Sequence, residues 1–282
     1  MESLQITTLC VICFNVAFSY FGFKSNFLFD KYKFEVDSIL AQKQYLRLFT
    51  SGFLHVGWLH LILNMVSLYA FGDVVLIMTG PVKFCIIYLA GLLGGNFLAL
   101  YFHRHHGDYS AVGASGAVSG IVFSALILIP GTTITVFQGS LEIPGWLYAI
   151  GYILITIYGV RSQRGNVGHE AHLGGALTGM LVALGFVPAA FGESYLLILS
   201  VLIPSLAFLF VIIKQPHVLW IERRSGSNDG RYHNIDDRYN HNRWMQQNEL
   251  DQLLDKISRD GLNSLSQRER KRLDELSDKK NN

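Results

Sequence analysis

Residues 113–130 read GASGAVSGIVFSALILIP, a run without an ionisable side chain. A bilayer core of about 30 Å is crossed by about 20 apolar residues in helical conformation. Within lipid, small residues four positions apart allow two helices to approach closely, and Gly116 and Gly120 have that spacing. The run is therefore predicted to be a membrane-spanning helix that packs tightly on a neighbouring helix.

Six further apolar runs of spanning length lie on either side of this one. Apolar residues make up 50% of the 282 residues and charged residues only 16%, a balance that is rare in soluble domains of this size. We therefore predict an all-α fold, a polytopic membrane helical bundle. The seven predicted spans are 4–23, 58–79, 83–102, 114–130, 144–160, 170–190 and 195–213.

The start of the chain and its charge indicate where the protein resides. Glu2 stands where a secretory signal peptide carries lysine or arginine, and no arginine-rich transit segment precedes the first run. We expect direct insertion of that run and an integral protein of a bacterial plasma (inner) membrane. The formal net charge of +2 gives no indication of a nucleic-acid partner. The cysteines, Cys10, Cys13 and Cys85, lack the spacing of a disulfide framework or a metal site.

Two segments depart from the apolar pattern. Residues 24–57 mix charged and aromatic side chains, as is typical of a segment in the interfacial region of a membrane. In the polar tail, residues 216–245 are expected to form a flexible linker and residues 246–282 a short amphipathic helical hairpin. Its second helix is predicted to begin at Ser266, because Ser266 and Glu269 have capping-box spacing. A solubilising tail without a partner is the alternative, and the sequence identifies no partner for it.

Ser115 is the first candidate for chemistry. It lies between Gly113 and Gly116 at the start of a predicted span. A serine at a helix N-terminus has free backbone N–H groups beside its hydroxyl, which suits the stabilisation of an oxyanion. Serine is also a common packing residue in membrane helices, so this motif alone has two interpretations.

His172 favours the chemical interpretation. It opens the sixth predicted span and provides an imidazole, the side chain best suited to act as base for a serine hydroxyl near neutral pH. Gly175 and Gly179 follow it with the same spacing as Gly116 and Gly120, so the two spans are expected to be neighbours. No carboxylate has an evident place beside the imidazole, and the pattern indicates a dyad.

A third polar group opens the second predicted span. His60 and Asn64 are four residues apart and share one face of a helix. Together with the backbone N–H of Ser115 they could bind an oxyanion, and one such donor contributes about 3 kcal/mol in a transition state. A polar cluster that joins two helices is the alternative interpretation.

These three groups together resemble the signature of rhomboid proteases. The motifs occur in the family's order, and each opens the corresponding apolar run. They are His55-x4-His60-x3-Asn64, Gly113-x-Ser115-Gly116 and Ala171-His172-x2-Gly175-x3-Gly179. The resemblance implies a six-helix rhomboid core over residues 1–190, to which residues 191–215 add a seventh transmembrane helix.

The resemblance also implies an activity and the residues that perform it. The expected protein is an intramembrane serine endopeptidase in which Ser115 attacks the peptide carbonyl and His172 transfers the proton. His60, Asn64 and the Ser115 amide would bind the oxyanion. Arg47 matches the arginine of the family's Trp-Arg motif, although a leucine precedes it here. The implied partners are the lipid bilayer and single-span membrane protein substrates, and the chemistry needs no cofactor or metal.

Two alternatives stand beside this interpretation. Ser119 occupies the position where the family commonly has an aromatic residue that packs on the histidine ring. A catalytically impaired relative that binds or sorts membrane clients is therefore the first alternative. The second, a metal transporter or metalloprotease, is disfavoured because His169 and His172 are three residues apart, whereas HExxH requires four.

Overall fold

The computed structural model describes residues 2–136, 141–162 and 168–214, together with residues 249, 253–254, 256–257, 259, 264–267, 269–270 and 272–273. The predicted linker 216–245 lies outside the described residues. In chain order the helices are α1 (Glu2–Lys24), α2 (Asn26–Tyr32), α3 (Val36–Leu40), α4 (Arg47–Thr50), α5 (Trp58–Thr79), α6 (Pro81–His103), α7 (Ser115–Leu128), α8 (Gly145–Ser162), α9 (His169–Phe186) and α10 (Ala190–Lys214). The strands are β1 (Phe34–Glu35), β2 (Ser110–Ala111), β3 (Thr133–Val136) and β4 (Leu141–Pro144).

Each predicted span coincides with one of the long helices α1, α5, α6, α7, α8, α9 and α10. Within the described residues, α1, α5, α6 and α10 are long and apolar enough to cross a membrane on their own. The predicted helical membrane bundle is confirmed, with two small two-stranded sheets added to it.

The centre of the bundle is α7. Every residue of α7 from Gly116 to Leu128 is buried, and α5, α6 and α9 pack around it. Its 14 residues span about 21 Å, less than the hydrocarbon thickness of about 30 Å. The helix α7 is also shorter than α5, α6 and α9, which surround it.

Glycine allows α6, α7 and α9 to touch through their backbones. A methyl group on Gly175 or Gly179 of α9 would overlap the backbone of Gly116 or Gly120 of α7. On α6, a methyl group on Gly91 would lie 3.2 Å from the Gly116 carbonyl oxygen. The predicted contact between the two glycine faces is thus observed, and α6 completes it as a third partner through its own glycines.

The interfacial segment folds into α2, β1, α3 and α4, followed by a short 3₁₀ turn at Ser51–Phe53. Arg47 joins its parts, because Nη1 donates to the carbonyl oxygens of Asp30 and Lys33 at 2.6 and 2.9 Å. Strand β1 pairs antiparallel with β2, which lies four residues before α7. The segment therefore supports the loop that leads into the N-terminus of α7.

Helix direction places three helix N-termini at one end of the bundle. The helices α5, α7 and α9 run in one direction, and α6 and α8 return between them. At the far end, the Ser194 hydroxyl of α10 donates to the Ile127 carbonyl oxygen near the end of α7 at 2.8 Å. From there the remaining residues of α10 run back, so α10 ends on the side where α7 begins.

Two smaller units complete the described structure. Strands β3 and β4 form an antiparallel pair between α7 and α8, which the sequence analysis did not predict. In the tail, Leu253 and Leu265 form an apolar cluster against Ile257 and Leu273. The described tail residues also form the Ser266–Glu269 capping box, with both of its hydrogen bonds, and the Lys256–Glu269 and Arg272–Glu249 ion pairs.

Candidate active site

Ser115 is the first residue of α7, and it follows a glycine with a backbone conformation that only glycine adopts readily. Gly113 has a φ of +139°, a conformation that side chains disfavour. A methyl group on Gly113 would lie 2.9 Å from His60 Nε2, and that same position is 3.7 Å from Ser115 Oγ. The Gly113 N–H donates to the Ser51 carbonyl oxygen at 3.0 Å. The His60 ring and the Ser115 hydroxyl therefore meet at Gly113, with no room for a side chain between them.

His172 lies in the first turn of α9, close to this point. A methyl group on Gly116 would be 3.2 Å from the carbonyl oxygen of Ala171. Ser115 and His172 are thus each one residue away from a contact between the α7 and α9 backbones, and both side chains are partly exposed. Across the described chain, no hydrogen bond joins Ser115 Oγ to the His172 ring. Such bonds are commonly loose before substrate binds.

His55 supports the backbone that carries Ser115. Its ring is fully buried, and Nδ1 lies 2.8 Å from the hydroxyl of Ser19 on α1. Because the Ser19 hydroxyl donates to the Phe53 carbonyl oxygen, the network assigns the proton to His55 Nδ1. His55 Nε2 then accepts from the Ala114 N–H at 3.4 Å. His55 is therefore neutral and links α1 to the first turn of α7.

His60 and Asn64 share the face of α5 that the spacing predicted. The Asn64 amide nitrogen donates to the His60 carbonyl oxygen at 3.0 Å, which leaves its second N–H proton free of that bond. His60 Nδ1 is buried, and the described residues offer it no hydrogen-bond partner. The structure thus places His60 beside Ser115. Asn64 lies one turn further along α5, where its side chain is held by the hydrogen bond to the His60 carbonyl oxygen.

Glu170 belongs to a different cluster. Its Oε1 lies 3.4 Å from Nε2 of His103 at the end of α6, without the alignment of a hydrogen bond. The His103 ring stacks on Tyr109 with a centroid distance of 3.5 Å. Glu170 therefore contacts the end of α6, and because it is two residues before His172 in α9, its side chain lies on another face of that helix.

Arg47 lies outside the site, because its hydrogen bonds serve the interfacial segment alone. Among the residues that the structure describes, no group of three or more histidine, cysteine, aspartate or glutamate side chains could hold a metal ion.

Tyr152 is a site residue that the sequence motifs do not indicate. Its ring on α8 lies 6.3 Å from the His172 ring, centroid to centroid, at an interplanar angle of 33°. The Tyr152 hydroxyl is 2.6 Å from Ser119 Oγ. A tyrosine inside an apolar span was the available signal, but the sequence could not show which helix faces α8.

A bundle of apolar helices with a serine and a histidine near each other at one end defines a polytopic helical membrane protein with a candidate catalytic pair. Comparison with known protein families agrees: the Rhomboid domain family matches residues 42–189, and a family of unknown function (DUF6576) matches residues 233–279. The chain belongs to the rhomboid family and is an integral membrane protein.

Curated relatives support this membership. RHOMBOID-like protein 12, mitochondrial, of Arabidopsis thaliana is 29% identical over 169 residues, which are 55% of this chain and 50% of the relative. The rhomboid protease GluP of Bacillus subtilis (strain 168) is 30% identical over 64% of this chain and 34% of its own length. Rhomboid protein 1, mitochondrial, of Saccharomyces cerevisiae is 27% identical over 51% of this chain and 43% of the relative. The chain thus matches a third to a half of each relative.

Proposed function

We propose that the protein is an intramembrane serine endopeptidase that cleaves transmembrane-anchored proteins with a dyad of Ser115 and His172. One observation carries the proposal: the direct backbone contact of α7 with α9 at Gly116, Ala171 and Gly175. This contact joins the turn that bears Ser115 to the turn that bears His172. The name of the GluP relative, a rhomboid protease, supports the same activity.

In the proposed reaction, Ser115 Oγ attacks the carbonyl carbon of the scissile peptide while His172 accepts the hydroxyl proton. The carbonyl oxygen becomes an oxyanion, to which His60, Asn64 and the Ser115 N–H would donate. His172 returns the proton to the leaving amine as the peptide bond breaks. A water molecule then hydrolyses the acyl-enzyme, with His172 again as base, and the serine is regenerated.

The position of Ser115 at the start of a helix that is buried inside the bundle suggests the substrate class that we propose. A single-span helix arriving through the bilayer must unwind near its end to present an extended peptide bond inside the bundle. Substrates with glycine or proline near the cleavage point are expected to react best, because such residues weaken a helix. We place the protein in a bacterial plasma (inner) membrane, acting on single-span membrane proteins without a cofactor.

The proposal is tested by labelling the purified protein in detergent with a fluorophosphonate probe for activated serines. Wild type should be labelled, and Ser115→Ala and His172→Ala should both lose labelling, since the two residues of a dyad act as a unit. Cleavage of a single-span test protein should be lost in the same variants. Labelling that persists in Ser115→Ala would exclude Ser115 as the nucleophile. A folded wild type that neither labels nor cleaves would favour a client-binding relative without activity.

A further inference from the structure

The orientation of His172 has no explanation in hydrogen bonding. Nowhere in the described structure does its imidazole make a hydrogen bond, although a general base must present one nitrogen to the serine. Two rings lie beside it: Tyr152 at 6.3 Å and 33°, and His169 at 5.9 Å and 74°. Of the two, the Tyr152 ring lies closer to parallel with the imidazole. Packing must therefore set the imidazole orientation, and Tyr152 is placed to do so.

Tyr152 is itself held in place. Its hydroxyl lies 2.6 Å from Ser119 Oγ, and its ring packs edge-on against Phe123 of α7 at 5.3 Å. Ser119 is buried and donates its only proton to the Ser115 carbonyl oxygen at 2.7 Å. The Tyr152 hydroxyl must then be the donor to Ser119. A chain of two hydrogen bonds thus connects the Tyr152 ring to the backbone of Ser115.

We infer that Tyr152 is a positioning residue for His172, and that Ser119 fixes Tyr152 relative to the nucleophile. This inference rests on the proposed function. The small side chain of Ser119 leaves room for a ring from another helix, and its hydroxyl provides the bond that anchors the ring. The geometry couples α7, α8 and α9 at the site. Although position 119 has a serine and not an aromatic residue, the His172 ring is still supported, because Ser119 anchors the Tyr152 ring beside it.

The test compares Tyr152→Leu, Tyr152→Phe and Ser119→Ala in the full-length protein. Tyr158→Leu serves as the matched control, because Tyr158 is on the same helix and 63% exposed. The dependence of the fluorophosphonate labelling rate on probe concentration gives a maximal rate and a half-saturating concentration. A residue that orients the base should alter the first quantity and leave the second unchanged.

We expect Tyr152→Leu to lower the maximal labelling rate about 10- to 100-fold, since a misplaced general base loses much of its contribution. Tyr152→Phe keeps the ring but removes its hydrogen bond to Ser119, as Ser119→Ala does, so each of these variants should lose about three- to tenfold. Tyr158→Leu should label like wild type.

A wild-type rate in Tyr152→Leu would overturn the inference, and so would an equal loss in Tyr152→Phe. If Tyr152→Leu does not fold, as judged by thermal unfolding, an unchanged rate in Ser119→Ala would overturn it. Failure of the proposed function is distinguished because wild type itself would then not label at Ser115.

Discussion

The backbone N–H of Ala114 is held by a side chain that the proposed reaction does not use. His55 accepts this N–H and binds Ser19 with its other ring nitrogen, so one buried ring fixes both the first turn of α7 and α1. Removal of the ring leaves two buried polar groups, the Ala114 N–H and the Ser19 hydroxyl, without their hydrogen bonds to His55.

His55→Ala should lower the free energy of unfolding by about 1–3 kcal/mol, the cost of an unsatisfied buried polar group. The fluorophosphonate labelling rate should decrease about tenfold, because the Ser115 backbone loses its support. Thermal unfolding and labelling of the purified variant measure both effects. His105→Ala, at an exposed loop position, is the control and should match wild type. A fully active and stable His55→Ala protein would contradict this role.

Glu35 gives the interfacial segment a defined pH dependence. Burial raises its pKa, but the hydrogen bond from Ser38 and the charges of Lys33 and Arg47 outweigh burial and leave the pKa below its usual value. A carboxylate with a lowered pKa stabilises the folded state above its unfolded pKa of about 4.3, and the contribution is lost as the pH falls through the folded value.

Between about pH 5 and pH 3, the melting temperature of wild type should therefore decrease more steeply than that of Glu35→Gln. Differential scanning fluorimetry in detergent compares the two curves directly. The two proteins share every other carboxylate, so the difference isolates Glu35. Parallel curves would show that the Glu35 contacts contribute nothing to stability.

At the scale of elements, the contact between α7 and α9 leaves no space for even one methyl group at Gly175. Gly175→Ala should separate the helices, lower the free energy of unfolding by about 1–3 kcal/mol and abolish labelling of Ser115. Gly185→Ala adds the same methyl group to the same helix where no atom lies within 4 Å, and it should remain stable and active. Equal behaviour of the two variants would show that the close contact is not required.

The sequence predicted these helices well and their partners only in part. Hydropathy located each span because a membrane imposes a length, and the glycine spacing of α7 and α9 predicted their contact. Two features were missed for physical reasons. Tyr152 meets His172 from a separate helix, and no periodicity within α8 reveals which face turns inward. The pair of β3 and β4 joins four-residue strands, which are too short to stand out between long apolar runs.

At the scale of the whole molecule, the described tail residues are held by contacts among themselves. Leu253 and Leu265 share an apolar cluster, and the ion pairs of Glu249 and Glu269 join its two ends. Deletion of the residues after Arg224 should therefore leave the labelling rate of Ser115 within about twofold of wild type, since the tail contributes no residue to the proposed dyad or oxyanion site. The measurement is labelling of the truncated protein. Complete loss would show that the tail is part of the catalytic fold.

The return of α10 toward the end where Ser115 lies has a consequence for the cell. Any module attached behind Lys214 begins on the side of the membrane on which α7 begins. Under the proposed function, such a module lies on the same side of the bilayer as Ser115 and His172, and no signal has to cross the bilayer between them. Reporter proteins fused after α10 and inserted before β2 should consequently report the same compartment, whereas a reporter inserted between β3 and β4 should report the opposite one.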